Sequence, residues 1–125
     1  MNKKILIVED DPALLSILGD KFKSENFSVS KAEDGQEGLD RALIDRPDLI
    51  LLDLLMPKMD GMTMLSQLRK DPWGKIVPVI LLTNLSGAEK VAESLDQGVD
   101  SYLVKSNWKI EDVVGKVKEK LMIVE

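Results

Sequence analysis

An apolar run that ends in a carboxylate constrains the fold of this chain more than any other feature. The residues from Leu49 to Leu52 are all branched and apolar, a pattern typical of a strand buried on both faces of a sheet. Asp53 follows at once, and the next residues, which end in Asp60-Gly61, are typical of a loop and a turn. Open α/β sheets bind their ligands beyond the carboxyl ends of the strands. Asp53 is therefore the first candidate for a functional residue.

Five strand-like segments occur along the chain, and each is followed by apolar residues at helical spacing. Strict alternation of strand and helix, with connections of this length, predicts a parallel sheet with helices on both faces. We therefore predict that residues 1–125 form one domain, a doubly wound α/β three-layer sandwich. The predicted strands cover residues 3–8, 26–31, 49–52, 77–82 and 101–104. The predicted helices cover 12–22, 36–45, 62–70, 88–95 with Gly98 as the C-cap, and 110 to the end of the chain.

Local signals also predict where helices begin and which sides are buried. Pro12 suits the first position of a helix, so Asp11 is the predicted N-cap of the first one. Asp34-Gly35 is predicted to close the second strand, and the second helix is predicted to stop before Pro47. The residues predicted to face the core are Leu14, Ile17, Leu18 and Phe22 in the first helix, Leu39, Ala42 and Leu43 in the second, and Met62, Leu65 and Leu68 in the third.

The composition excludes several classes of site. The net charge is −5 and the chain has no run of Lys or Arg, which argues against direct binding of nucleic acid. It contains neither Cys nor His, so disulfides, the usual zinc sites and His-based catalytic triads are excluded. No segment approaches the roughly 20 apolar residues of a membrane span, and the N-terminus has no signal-peptide pattern. We therefore predict a cytoplasmic protein without membrane insertion.

Chemically reactive residues stand just beyond four of the predicted strands. Taken singly, each has an ordinary explanation as a cap or a solvated loop charge. In a parallel sheet, however, these strand ends share one edge, and the flavodoxin-like order 2-1-3-4-5 makes the four strands neighbours. The residues are Glu9 and Asp10 after the first strand, Asp53 after the third, Thr83 after the fourth and Lys105 after the fifth.

This set predicts a metal-assisted phosphoryl-transfer site. Two carboxylates about 5 Å apart repel each other by roughly 3 kcal/mol at an effective dielectric constant of about 20. A third carboxylate at the same place would therefore raise the pKa of one of the acids or require a bound cation. Oxygen ligands without His or Cys select a hard ion such as Mg²⁺. Asp53, from the central strand, is the best candidate nucleophile for forming an aspartyl phosphate. Thr83 and Lys105 suit the phosphoryl oxygens, and Glu9 and Asp10 suit the metal.

Over essentially its whole length, the chain resembles the receiver domain of bacterial two-component response regulators. Any one of the motifs that carry the resemblance is a weak signal, but all four in this order are highly specific. They are Ile5-Leu6-Ile7-Val8-Glu9-Asp10-Asp11, Asp53-Leu54-Leu55-Met56-Pro57-Lys58-Met59-Asp60-Gly61, Leu81-Leu82-Thr83 and Gly98-Val99-Asp100-Ser101-Tyr102-Leu103-Val104-Lys105.

The resemblance implies that a sensor histidine kinase or a phosphotransfer protein phosphorylates Asp53. Mg²⁺ would be held by Asp10, Asp53 and the backbone carbonyl of Leu55, with Glu9 helping directly or through water. Thr83 and Lys105 would each bind a phosphoryl oxygen.

The resemblance also implies a switch. Tyr102 would turn inward as Thr83 moves toward the phosphoryl group, which changes the surface formed by the fourth helix, the fifth strand and the fifth helix. That surface would signal to a downstream protein target or an output domain. An ordinary half-buried aromatic residue remains an equally good interpretation of Tyr102.

Some positions depart from the family pattern. The residue after the lysine of the fifth strand is usually Pro but here is Ser106, and position 84, commonly small, is Asn84. Leu55 and Leu85 flank the site with apolar side chains, and we expect them to hinder an attacking water and to lengthen the life of the phosphoryl group. The sequence ends at Glu125 with the last predicted helix, which lacks an Arg-rich finish, so we expect a stand-alone receiver rather than a receiver cut from a longer protein.

Other functions stay open on the sequence alone. The first is a degenerate receiver that binds a partner without phosphorylation. The second is an aspartyl-phosphate phosphatase or mutase, although such enzymes usually need an acid at the position of Leu55. The third is a flavin-binding module, which is disfavoured because acids replace the expected phosphate loop after the first strand. We expect a signalling switch that promotes its own phosphorylation and dephosphorylation, rather than a turnover enzyme.

Overall fold

The computed structural model describes residues 2–53, 58–83, 98–99, 101–104 and 109–121, and for residues 83, 101, 102 and 104 it describes the backbone only. The strands in this part of the chain are β1 (Lys4–Val8), β2 (Ser28–Ala32), β3 (Leu49–Asp53), β4 (Val79–Thr83) and β5 (Ser101–Val104). The described helices are α1 (Pro12–Ser24), α2 (Gly35–Asp45), α3 (Gly61–Leu68) and the C-terminal helix (Ile110–Lys120). The helix predicted for residues 88–95 lies outside the described residues. None of the described helices has both the length and the apolar character needed to cross a membrane.

The sheet has the predicted doubly wound topology. Its strands run in the order β2-β1-β3-β4-β5, and every neighbouring pair is parallel. The chain therefore moves outward from β1 to β2, returns to β3 and continues in the opposite direction. This reversal lies between β1 and β3, at the position where open α/β sheets form their ligand crevice.

Alternate residues of the strands face two separate apolar cores, one on each side of the sheet. On one side, Leu6, Val8, Ile50, Leu52, Val79 and Leu81 pack with Ala42 of α2 and with Met64, Leu65 and Leu68 of α3. On the other side, Ile5, Ile7, Leu49, Leu51, Ile80 and Leu82 pack with Leu15, Leu18 and Phe22 of α1 and with Val113, Val114 and Val117 of the C-terminal helix. The central strand β3 is buried at every residue, because both of its faces are covered.

The buried sides of α1 and α2 differ in part from the prediction. Leu18 of α1 is fully buried as expected, but Ile17 is 56% exposed and Leu15 takes its place in the core. Ile17 follows Leu15 by two positions, about 200° around the helix, so the two side chains cannot share a stripe about 100° wide. In α2, Ala42 is buried and Leu43 is exposed; these adjacent residues lie about 100° apart around the helix, and only Ala42 faces the sheet.

Two Asp-Gly pairs lie at helix starts, although one was expected to close the second strand and the other to form a turn. The backbone N–H of Glu37 donates a 2.8 Å hydrogen bond to Oδ1 of Asp34, and Asp34 is the N-cap of α2. In the same way, the N–H of Thr63 donates to Asp60, the N-cap of α3, at 2.8 Å. Asp favours both turns and N-caps because its short carboxylate accepts nearby N–H groups, so a local pattern alone does not separate the two. The predicted cap at Asp11 is confirmed.

Candidate functional site

The acids predicted from the sequence converge because β1 and β3 are neighbours in register. Val8 of β1 is the register partner of Leu52 of β3. Glu9 and Asp53 each follow one of these partners, so they lie level with each other at the carboxyl edge of the sheet. Adjacent strands are about 4.8 Å apart, which is close enough for the two carboxylates to act on the same ligand.

Three carboxylates meet at this edge, and we call them the acid cluster: Glu9, Asp10 and Asp53. One carboxylate oxygen from each residue lies within 4.8 Å of the others. Glu9 is 0% exposed and Asp53 is 5% exposed, whereas Asp10 is exposed to solvent. The cluster therefore has a buried floor and one side that is open to an incoming ligand.

The donor chemistry of the acid cluster fits Mg²⁺. Two of these carboxylates repel each other by about 3 kcal/mol at this separation if the effective dielectric constant is about 20. A divalent cation offsets that repulsion for all three acids at once. The donors are carboxylate oxygens with an open side for water or phosphate, and Mg²⁺ binds in this manner rather than within a closed protein cage.

The loop between β1 and α1 holds Glu9 in place. The backbone N–H of Glu9 donates a 3.0 Å hydrogen bond to the carbonyl oxygen of Ala32, which continues the pairing of β1 with β2. Its side chain accepts a hydrogen bond from the backbone N–H of Asp11, with 3.0 Å between nitrogen and Oε2. Oδ1 of Asp11 in turn accepts hydrogen bonds from the backbone N–H groups of Ala13 and Leu14, so Asp11 is the N-cap of α1. One short loop thus orients a buried acid and starts the next helix.

The backbone places one further predicted residue, Thr83, at the same edge. Asp53 is the register partner of Leu82, so Thr83 lies one residue beyond it on the neighbouring strand. Thr83 is itself paired with Val104, the residue that precedes Lys105. Tyr102 is paired with Leu81 at the backbone. The predictions for Leu55, Asn84, Leu85, Lys105 and the Lys105–Ser106 peptide bond, and for the side chains of Thr83 and Tyr102, lie outside what the structure describes.

A contact near the site was missed by sequence reasoning: the start of α2 lies against the loop that follows Asp53. Oδ2 of Asp34 lies 3.5 Å from Nζ of Lys58. Gly35 lies so close to the carbonyl of Met59 that a Cβ on this glycine would be 1.9 Å from the oxygen. The spacing of Asp34 and Glu37 is a sequence signal that could have identified Asp34 as an N-cap, but nothing local indicates which loop it contacts.

Asp34 is held in its charged form by its surroundings. The hydrogen bond from the N–H of Glu37 is the largest cause that lowers the pKa of Asp34 below its ordinary value, and the positive charge of Lys58 lowers it further. Burial acts in the opposite direction. A carboxylate thus serves both as a helix cap and as the partner of a lysine from the loop after β3.

A cavity of about 420 Å³ lies on the outer side of α2, away from the acid cluster. Its lining includes Asp34, Lys58 and the exposed Ile44, but none of the three clustered acids. The cavity is therefore not the reaction site, although it borders the contact between α2 and the loop after β3.

Comparisons with known proteins agree with this geometry. A family model described as "Response regulator receiver domain" matches residues 5–118. The "DNA-binding dual master transcriptional regulator RpaA" of Synechocystis sp. is 36% identical over 115 residues, which cover 92% of this chain and 47% of the relative. "Response regulator PleD" of Caulobacter vibrioides is 40% identical over 114 residues, or 91% of this chain and 24% of the relative. The chain thus spans less than half the length of these curated relatives.

Solved structures show the same fold. A response regulator receiver domain protein, described as CheY-like, from Methanospirillum hungatei superposes with a TM-score of 0.90 at 31% sequence identity. The match covers 97% of this chain and 94% of that one. Sequence and fold therefore point to the same kind of domain as the acid cluster does.

Proposed function

The chain belongs to the response regulator receiver family, and on this premise we propose that Asp53 is its phosphoacceptor in a two-component phosphorelay. Receiver domains act as signalling switches, take a phosphoryl group on an aspartate and bind Mg²⁺ through acidic residues. The observation that carries the proposal is the acid cluster: Asp53 ends the central strand, is almost fully buried, and has two further carboxylates within 4.8 Å. The fold alone would not support it, because the flavodoxin-like arrangement hosts many activities.

The acid cluster would hold Mg²⁺ through Asp10 and Asp53, with the backbone carbonyl of Leu55 as a further ligand. Glu9 would help directly or through water, since its side chain is oriented by the N–H of Asp11. When bound, the ion supplies positive charge that offsets the carboxylates and the transferring phosphoryl group. The exposure of Asp10 supports this arrangement, because the open side leaves room for water and for the phosphoryl donor.

In the reaction, a carboxylate oxygen of Asp53 attacks the phosphorus of a phosphohistidine on a sensor kinase or phosphotransfer protein. A phosphorus–oxygen bond forms, the phosphorus–nitrogen bond breaks, and the histidine ring, already protonated on its other nitrogen, takes the bonding electron pair and leaves as neutral imidazole. The hydroxyl of Thr83 donates to one phosphoryl oxygen and the ammonium of Lys105 pairs with another. The strand registers support these roles, because Thr83 lies one residue beyond Asp53 and is paired with the residue before Lys105.

Phosphorylation would change the surface formed by β5, the C-terminal helix and the segment predicted as the fourth helix, and the partner would bind to that surface. Thr83 couples to this surface through the pairing of β4 with β5, in which Leu81 lies beside Tyr102. A new charge at Asp53 would bias Thr83 and Tyr102 between two arrangements. The downstream partner would be a protein target or an output domain, without direct contact to nucleic acid or insertion into a membrane.

We expect the phosphoryl group to be long-lived, because Leu55 and Leu85 are apolar, follow Asp53 and Thr83 by two residues, and would hinder an attacking water. Asn84 follows Thr83 in sequence, and we expect its side chain to form a hydrogen bond with the phosphoryl group or to crowd it. We expect Leu55→Asn and Leu85→Glu to accelerate hydrolysis of the aspartyl phosphate, measured as loss of the phosphorylated mass with time. A hydrolysis rate that neither variant changes would disprove this role.

The test of the proposed function is intact-protein mass after incubation with Mg²⁺ and acetyl phosphate, for wild type and for Asp53→Ala. We expect a gain of one phosphoryl group that requires Mg²⁺ and is absent in the variant. A folded wild-type protein that binds Mg²⁺ but gains no mass, from acetyl phosphate or from a phosphorylated histidine kinase, would instead favour a phosphorylation-independent binding module.

A further inference from the structure

The N-terminus of α2 contacts the loop that follows Asp53 at two points. The carboxylate of Asp34 faces the ammonium of Lys58, and the backbone of Gly35 faces the carbonyl of Met59. We propose that Asp34 and Gly35 are positioning residues that hold this loop in the conformation that phosphoryl transfer to Asp53 requires. The inference rests on the proposed function of Asp53, and it adds two residues at the start of α2 to the site.

The contact at Gly35 leaves no space for a side chain. A Cβ at this position would lie 1.9 Å from the carbonyl oxygen of Met59 and 2.7 Å from its carbonyl carbon. Real Cβ atoms essentially never approach another heavy atom closer than 3.0 Å. Because the obstructing atoms belong to the backbone, a methyl group at Gly35 would displace the loop by more than about 1 Å. Glycine is therefore required here for close approach rather than for an unusual backbone conformation.

The contact at Asp34 acts on a residue with an uncommon backbone conformation. Lys58 has a φ of 66°, in the left-handed region that residues other than glycine rarely adopt. Its Nζ lies 3.5 Å from Oδ2 of Asp34, and its side chain is 76% exposed. Such an exposed ion pair is weak by itself and is screened by salt. The steric contact at Gly35 is therefore the main restraint, and the ion pair assists it.

A shift of this loop has a short path to the reaction site. Asp53 is held in the sheet by its pairing with Leu82, and Asp60 is held as the N-cap of α3. Only residues 54–57 separate Asp53 from Lys58, and Leu55, the proposed donor of a carbonyl to Mg²⁺, is one of them. Because Asp53 and Asp60 are both held in place, we expect a displacement of about 1 Å at Met59 to be passed on to this short connection. A misplacement of that size near reacting groups costs up to about 100-fold in rate.

The chain offers a matched control for this steric argument. A Cβ at Gly74 would lie 2.0 Å from the carbonyl oxygen of Leu68, a clash as severe as that at Gly35. Gly74, however, lies in the connection from α3 to β4, at the opposite edge of the sheet from the acid cluster. A Cβ at Gly115, in the C-terminal helix, would have no neighbouring atom within 4 Å among the described residues, so this glycine serves as the neutral control.

The experiment compares Gly35→Ala, Gly74→Ala and Gly115→Ala, after circular dichroism confirms that each is folded. Phosphorylation by acetyl phosphate is followed by intact mass over a range of Mg²⁺ concentrations. We expect Gly35→Ala to lower the maximal rate by about 10- to 100-fold and to raise the Mg²⁺ concentration needed for half-maximal rate. Gly74→Ala should lose stability but keep both kinetic values. Equal losses in these two variants, or none in Gly35→Ala, would overturn the proposal.

If Gly35→Ala does not fold, Asp34→Asn decides the question, since Asn retains the N-cap and removes only the charge that faces Lys58. We expect its rate to be about two- to fivefold lower at low salt and equal to wild type at high salt, and an unchanged rate at low salt contradicts the proposal. Calorimetric titration with Mg²⁺ separates this inference from the proposed function. If wild type accepts no phosphoryl group, the proposed function fails, while weaker Mg²⁺ binding in Gly35→Ala than in Gly74→Ala still supports the positioning role.

Discussion

Asp53→Asn should stabilise the protein in the absence of Mg²⁺, because it removes one charge from the acid cluster and keeps the size of the side chain. The carboxylates of Glu9 and Asp53 are buried, with ligand oxygens within 4.8 Å of each other, so their repulsion is about 3 kcal/mol at an effective dielectric constant of about 20. Asp10 is exposed and contributes less, because solvent and salt screen it. Asp53 also takes part in other interactions, which the substitution changes too. We therefore expect a net gain of about 1 to 2 kcal/mol in the free energy of unfolding.

Mg²⁺ should reverse this order of stability. A ligand that binds only the folded state, present at about 100 times its dissociation constant, adds about 2.7 kcal/mol. Wild type should gain this amount, whereas Asp53→Asn has lost a ligand and should gain much less. The assay is urea unfolding followed by tryptophan fluorescence, in EDTA and in MgCl₂ at constant ionic strength. Asp20→Asn is the control, because Asp20 is an exposed residue of α1 outside the cluster and the change in net charge is the same.

Either of two results would refute this reasoning. One is an Asp53→Asn protein that is no more stable than wild type in EDTA, which would mean that the clustered carboxylates do not repel each other appreciably. The other is an Asp53→Asn protein whose stability responds to Mg²⁺ as strongly as that of wild type, which would place the ion elsewhere.

Three further predictions concern stability. Nζ of Lys118 lies 2.6 Å from Oε1 of Glu25, and its hydrogen bond and charge hold the pKa of Glu25 below the ordinary value of 4.5. The pair therefore stabilises the fold at neutral pH. This stabilisation is lost as the pH falls below about 4.5 and through the lowered pKa, because Glu25 then becomes protonated. Lys118→Met should therefore be less stable than wild type at pH 7, and chemical unfolding at acidic pH should show the two converging. Asp11→Ala should cost about 1 kcal/mol in urea unfolding by removing the cap of α1, and Asp11→Asn should restore most of it. Leu51→Ala, at a fully buried site in β3, should cost about 2 to 5 kcal/mol, while Ile17→Ala on the exposed side of α1 should change stability by less than about 0.5 kcal/mol.

The order of the strands and helices was predictable because it depends on local patterns in the sequence. Apolar runs and helical spacing repeat within windows of a few residues, and the structure confirms the five strands and the helices among the residues it describes. The convergence of Glu9, Asp10 and Asp53 followed from the same patterns, since parallel strands bring their carboxyl ends to one edge.

The buried side of a helix was less predictable. Leu15 and Ile17 are both apolar and lie in the same helix, but only Leu15 packs against the sheet. The choice depends on how the helix is rotated over the strands, which is set by contacts with residues far away in the sequence. Asp34-Gly35 was expected to close the second strand, and the structure shows that Asp34 also caps the start of α2.

By itself, the amino-acid sequence determined the fold class, the predicted acid set and the resemblance to receiver domains, because each depends on residue type and short-range spacing. Only the tertiary structure decided that Glu9 and Asp53 lie level, since this needs the register of Val8 with Leu52 across two strands. Only the tertiary structure brought Gly35 against Met59, because the close approach of two backbones separated by more than twenty residues leaves no local pattern in the sequence.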